Sequence, residues 1–201
     1  MLAEESFPDY SVIADVSETL QTVLTDAFQS LPGPPFPIAE IHDLSGNIST
    51  TPPRLTIFLF EVIEDSSMRN RPPATVSGPG NVTLTRPPMA LLLRFLMTPW
   101  SGDRLTDYRI LGRTLHALYD GAIISGPQLQ GGLAGSDQAL KLKLAPLDLD
   151  ARSRVWFAVQ QPYRLSVTYE VRVVNLDSLS QKLQPSVRSL HSEPATRVGP
   201  P

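Results

Sequence analysis

Apolar residues recur at helical spacing over Asp9–Phe28. Ile13, Val16, Leu20, Val23, Leu24 and Ala27 fall on one side, and Asp15, Glu18, Gln21 and Asp26 occupy the other. This predicts an amphipathic helix with Asp9 or Ser11 as N-cap, ended by LPGPPFP. The pattern then changes period. IAEIHDL predicts a short strand. RLTIFLFEVIE predicts a longer one with apolar residues on both faces, Leu55, Ile57 and Leu59 on one and Phe58, Phe60 and Val62 on the other, as in a strand covered on two sides. MALLLRFLMT predicts a second such strand, stopped by Pro99.

Between these strands Asp65–Pro88 reads as a long irregular stretch with room for a short strand at Val82–Thr85, and loops of that length are usually functional or mobile. SGDRLTDYRILGRTLHALYDG predicts a second helix with an apolar stripe of Leu105, Tyr108, Leu111, Leu115, Leu118 and Tyr119, capped by Ser101 or Asp103 and ended by Gly121. The glycine-rich GPQLQGGLAGSDQ reads as a flexible loop. It leads to a half-exposed strand in which Leu140, Leu142 and Leu144 alternate with Lys141, Lys143 and Ala145. LDLDARSRVWFAV predicts a short helix capped by Asp148, with Val155, Trp156 and Val159 inward. Pro162–Ser178 predicts a last long strand, with Tyr163, Leu165, Val167, Tyr169, Val171 and Val173 facing the core and Arg164, Ser166, Thr168, Glu170 and Arg172 on a wet face.

Strands that follow one another without an intervening helix argue for a mixed or antiparallel sheet. The expected fold is therefore a single α+β domain over residues 1–178, with a sheet of four to five strands flanked by about three helices. An extended C-terminal arm over 179–201 follows, polar and weakly periodic. A chain of 201 residues suffices for one well-buried domain. Its 20 prolines, many in pairs such as Pro52-Pro53 and Pro87-Pro88, punctuate it into these segments.

Composition then narrows the chemistry. A net charge of -3 offers no general attraction to nucleic acid or anionic membrane. The absence of cysteine excludes disulfides, thiolate catalysis and Cys-ligated metal. Glu4 and Glu5 stand where a secretory signal carries positive charge, so no signal peptide is expected, and the apolar run around Arg94 is too short to span a bilayer. The three histidines, His42, His116 and His191, lack ligand spacing. No phosphate-binding loop, dinucleotide turn or Gly-x-Ser-x-Gly elbow is present. Glu61 with Glu64 and Asp148 with Asp150 are better explained as turn and cap residues than as an acid–base pair. Catalytic, cofactor and metal residues are therefore expected to be none. Arg94, inside a very apolar strand, is either an edge residue reaching solvent or a member of an ion pair. Trp100 and Tyr163 are expected to close the core at strand ends.

Several segments taken together, above all PPMALLLRFLMTPW, ILGRTLHALYDG and PYRLSVTYEVRVV, resemble one family over most of Tyr10–Ser178. It is the tube-terminating cap, or tail terminator, of phage-tail-like contractile injection systems. The resemblance implies a non-enzymatic protein that forms a homohexameric ring. It would terminate the inner tube and link the last tube ring to the last sheath ring, with tube and sheath proteins as partners. It also implies assembly in the bacterial cytoplasm as part of a particle that is released or held at a membrane, without nucleic-acid binding or membrane insertion. On this reading the expected interface comprises Met68, Arg69, Asn70 and Arg71 in the long loop, Arg164, Thr168, Glu170 and Arg172 on the last strand, and Leu183, Val187 and Arg188 in the arm. The arm is suited to strand addition on a neighbouring subunit or sheath protein. Other readings stay open: a baseplate or connector subunit of the same kind of particle, a monomeric scaffold, and a small hydrolase, which would need a pocket joining His116 or His42 to a carboxylate and a serine.

Overall fold

The structure, a computed structural model, describes residues 10–68, 72, 74–78, 81–85, 89–176 and 181–185. Helix α1 (Val12–Phe28) is followed by strands β1 (Ile38–Ile41), β2 (Arg54–Glu64), β3 (Ala74–Gly78), β4 (Asn81–Thr85) and β5 (Met89–Trp100). Helix α2 (Arg104–Asp120), strands β6 (Ile123–Ser125) and β7 (Ala139–Leu144), helix α3 (Leu149–Ala158) and strands β8 (Val167–Leu176) and β9 (Gln181–Pro185) complete the order. The main sheet has six strands in the order β1-β2-β5-β8-β7-β6, with β1 parallel to β2 and the other pairs antiparallel. The fold is thus α+β with a mixed sheet and three helices. The sheet is larger than expected because three-residue β6 adds an edge to β7.

The long stretch holds the short strand expected at Val82–Thr85, as β4, but it is less irregular than expected: β4 forms a hairpin with β3, which β9 joins as a third strand. Gln181–Pro185 of the expected arm are therefore backbone-paired to β4 of the same chain.

One face of the main sheet carries the principal core. Val12, Val16, Leu20, Leu24 and Phe28 of α1 recur at i, i+4 and are fully buried against Leu55, Ile57, Leu93, Phe95, Tyr169, Val171 and Val173. The opposite face carries a smaller core in which Leu44, Leu96, Trp100 and Trp156 are buried, with Phe58, Phe60, Val155 and Val159 packed around them. Trp156 comes from α3, whose N-cap Asp148 accepts a hydrogen bond from the Ala151 amide at 2.7 Å. Asp103 caps α2 the same way, accepting from the Thr106 amide and hydroxyl, each at 2.8 Å. These hydrogen bonds, the hydroxyl's first, hold its carboxyl below the usual range.

Five local expectations are corrected. Pro99 does not end β5: it pairs in register with Leu55, and the strand runs on to Trp100. Pairing with β8 stops at Met97, so β5 has a neighbour on one side only at Pro99, where a missing amide is tolerated. β8 begins at Val167, leaving Tyr163 and Leu165 ahead of it and exposed. On α2, Leu111 and Leu118 face the core, but Leu105, Tyr108 and Tyr119 point outward, and Ile110, Thr114 and Asp107 take the buried positions. Leu144, expected inward, is exposed as well.

The fifth correction concerns the glycine-rich loop, which is anchored rather than flexible in its packing. Asp15, expected on the wet side of α1, is buried. Its carboxylate accepts from the Ser11 hydroxyl at 2.6 Å and from the Gly132 amide at 3.1 Å. The Thr19 hydroxyl accepts from the Gln130 amide at 3.0 Å, and Leu129 and Leu133 join the core. Gly131 has φ +60°, and a Cβ there would lie 2.1 Å from Asp15 Oδ1. Gly135, at φ +74°, faces open space. Gly135→Ala is therefore expected to cost only left-handed backbone strain, about 1–2 kcal/mol. Gly131→Ala adds the collision with Asp15 and is expected to cost more than about 2 kcal/mol. Urea denaturation of the two variants against the parent measures both.

Candidate interaction surface

A β-bulge decides which residues of β2 reach the outer face. Leu59 pairs with Phe95 and Glu61 with Arg94, leaving Phe60 as the extra residue. The bulge moves Val62 to the principal-core face, opposite Leu93, and brings Glu61 and Ile63 onto the face of Phe58. The expectation that Phe58, Phe60 and Val62 share one face is corrected accordingly.

The consequence is a transverse charged row. In register across four strands lie Glu61, Arg94, Glu170 and Lys143. Arg94 Nη1 donates to Glu61 Oε2 at 2.7 Å and Nε to Glu170 Oε2 at 3.4 Å. Glu61's hydrogen bond, with a smaller contribution from Glu170, raises the Arg94 guanidinium above its ordinary pKa. Of the two readings of Arg94, the ion pair holds, in a strand with neighbours on both sides.

The next row reads Ile63, Leu92, Arg172 and Lys141. Arg172 is 43% exposed, and its Nε stands 2.9 Å from Asp65 Oδ2, close by distance but not aligned as a hydrogen bond. Asp65 Oδ1 accepts from the Ser67 hydroxyl at 2.7 Å and amide at 3.1 Å. Ser67 first, and Arg172 more weakly, hold the buried Asp65 carboxyl below the usual range.

The smaller core covers one half of this outer face, and the charged rows occupy the other. Of the residues expected at an interface, Glu170 and Arg172 lie together here. Thr168 sits two residues along β8 but is only 3% exposed, opposite Leu96, and offers no surface. Ser166 is likewise buried and accepts from Trp156 Nε1 at 3.4 Å. Arg164 lies toward the other end, its guanidinium 4.1 Å from the centre of the Trp100 ring and its Nη2 3.3 Å from Asp107 Oδ2. Met68 ends the short turn after Asp65, and Leu183 lies in β9, in register with Thr83. Arg69, Asn70, Arg71, Val187 and Arg188 lie outside the described residues.

Lys141 and Lys143 were not among the expected interface residues. Their alternation with Leu140 and Leu142 is visible in the sequence, but their neighbours on β8 are not.

On the other side of the sheet an apolar groove of about 370 Å³ runs between α2 and the end of β7, lined by Leu115, His116, Leu118, Tyr119, Leu142 and Tyr169 among others. Tyr119 is 82% exposed at its rim. His116 Nε2 stands 3.1 Å from Asp120 Oδ2, but no serine lines the groove, so the constellation needed for a hydrolase is not assembled there. Among the described residues no group of three or more His, Asp or Glu side chains converges to hold a metal, and no helix is long and apolar enough to cross a membrane.

The family model described as the Pvc16 N-terminal domain matches residues 15–189, which takes in the structure from α1 to β9. The chain belongs to the Pvc16 N-terminal domain family. No curated protein is similar enough in sequence to count as a relative. Two solved structures share the fold of this Pvc16-type domain. One is the PVC sheath/tube terminator of an extracellular contractile injection system in its extended state, with a TM-score of 0.61 and 20% identity over 92% of this chain. The other is the anti-feeding prophage cap, its tube terminating cap, with a TM-score of 0.56 and 17% identity over 90% of this chain. The chain spans 64% of the first of these proteins and 60% of the second.

Removing the central cation would leave Glu61 and Glu170 facing the same gap. Arg94→Met is expected to lower stability by about 1–2 kcal/mol, between the values of exposed and buried pairs. Adding Glu170→Gln should recover part of it, as read by chemical denaturation of the single and double variants.

Because the Asp65 carboxyl is depressed in the folded chain, its contribution to stability is present above the ordinary aspartate pKa of 3.8 and is lost as pH falls through the lower folded value. Asp65→Asn should therefore flatten the decline of the melting temperature below about pH 4, leaving the parts due to other carboxylates such as Asp103 in place.

Proposed function

We propose that this chain is the structural cap of a contractile injection system: it terminates the inner tube and joins the last tube ring to the last sheath ring. The observation that carries the reading is the extent of the match. The family model takes in nearly the whole α+β frame, and two tube terminators share that frame over 92% and 90% of the chain.

A cap must present one surface that accepts the end of a growing tube and no second surface that propagates it. A closed ring of identical subunits in head-to-tail contact meets that requirement, and a homohexamer is the ring proposed. Tube protein, sheath protein and other copies of the chain are the partners, with no nucleic acid and no inserted membrane segment. The protein is not an enzyme on this reading, and it assembles in the bacterial cytoplasm as part of the particle.

The outer sheet face with Glu170 and Arg172, and Arg164 beside Trp100, are the parts of the proposed interface that lie on described surface. The residues beyond Pro185 are what remains of the arm to engage sheath or tube, since Gln181–Pro185 already pairs with β4.

Deleting the gene and imaging the particles by electron microscopy tests this. Tubes and sheaths of uncontrolled length are expected, restored to uniform length by the intact gene. Particles of normal length would overturn the reading, and complete loss of particles would favour a baseplate or connector subunit instead.

A further inference from the structure

Two surfaces on opposite sides of the sheet carry charges without ion-pair partners among the described residues, and these charges have opposite sign. The first is the outer half-face of β7 and β8. Lys141 is directly opposite Arg172, an arrangement of like charges that destabilises a strand pair. Arg172 has Asp65 beside it, whereas Lys141 and Lys143 are exposed and make no ion pair with any described residue. Ile63 and Leu92 continue the row of Arg172 and Lys141 as half-exposed apolar residues. Glu170 faces Lys143 in register but is held by Arg94, so the two lysines leave the patch with surplus positive charge at its β7 end and apolar side chains at the other, on a sheet face that α3 leaves uncovered.

The second surface is the solvent side of α1. This 17-residue helix contains no lysine or arginine. Its exposed positions are Ala14, Glu18, Thr22 and Asp26, each four residues from the next and so on one face. The two carboxylates stand about 12 Å apart along the axis, and the small side chains beside them let the helix lie flush against a flat surface. Because α1 packs on the principal-core face, its acidic side and the basic patch point in opposite directions from the sheet.

We infer that the two surfaces meet between copies: the Glu18/Asp26 side of α1 from one subunit docks on the Lys141/Lys143/Arg172 patch of the next. A contact between two different patches on opposite sides of a subunit is head-to-tail, the type from which rings are built. One observation chooses a second copy over another acidic protein: the two patches of opposite sign are carried by the same chain, on opposite sides of its sheet. The inference rests on the ring-forming part of the reading above and supplies its contact.

The test is a charge swap on the full chain, read by sedimentation in low salt, with circular dichroism to establish that each variant is folded. The parent chain should self-associate, more weakly as salt is raised. Lys141→Glu/Lys143→Glu and Glu18→Lys/Asp26→Lys should each weaken association at least about tenfold, a change of about 1.4 kcal/mol. The four substitutions combined in one chain should restore it. A parent that stays monomeric, either pair leaving association unchanged, or a combined variant no stronger than the weaker pair would each overturn the contact.

The same variants expressed in the gene-deletion background separate this inference from the cap reading. Uniform particle length without the gene defeats the cap. Length lost on deletion but fully restored by both charge-reversed pairs defeats the contact alone.

Discussion

The position of every other element depends on β5. This 12-residue strand hydrogen-bonds to β2 on one side and to β8 on the other, and its side chains enter a core on both faces. Leu91, Leu93, Phe95 and Met97 go to the principal core, and Leu96 and Trp100 to the smaller one. A strand buried this way must have its backbone groups paired along both edges, so β2 and β8 are held in register with it. The helices then cover what the three strands leave apolar: α1 and α2 on one face, α3 on half of the other.

Arg94 is the point at which this arrangement changes character. Toward Trp100 the outer face of β5 is apolar and covered; at Arg94 it becomes charged and open. The cation is tolerated at the middle of the sheet because a carboxylate faces it from each neighbouring strand. The Phe60 bulge makes that possible, since regular pairing would have put Glu61 opposite Leu93 on the core face. A one-residue irregularity thus separates a surface able to receive a partner from a buried, unpaired carboxylate.

On the proposed cap reading, function lies in what the single chain leaves uncovered. The outward residues of α2, the groove beside β7 and the exposed Phe157 of α3, 85% accessible, are more large apolar surface than an isolated domain needs. They accord with a protein whose neighbours complete its packing. On the proposed contact, the charged half of the sheet is the counterpart in which complementarity of sign, rather than area, would select the partner.

The existence of α1, β2, α2 and α3 was legible because each is a local pattern: apolar spacing, a capping aspartate, a closing glycine. The α+β class followed from their order, and the family resemblance from the text of β5, α2 and β8. Which side of α2 faces inward was not legible, because tyrosine and leucine at surface positions count toward the same stripe as buried ones. Asp15 looked like a solvent residue because its partners, the Gly131–Gly132 turn, lie more than a hundred residues away. The charged row was invisible for the same reason: Glu61, Arg94, Lys143 and Glu170 are adjacent only through strand register, which one bulge resets. The sequence by itself determined the elements, the absence of cysteine chemistry and the kind of fold, since these depend on neighbours along the chain. Only the tertiary structure decided which charges meet, which apolar residues stay outside and where the open surface lies, since these depend on neighbours across it.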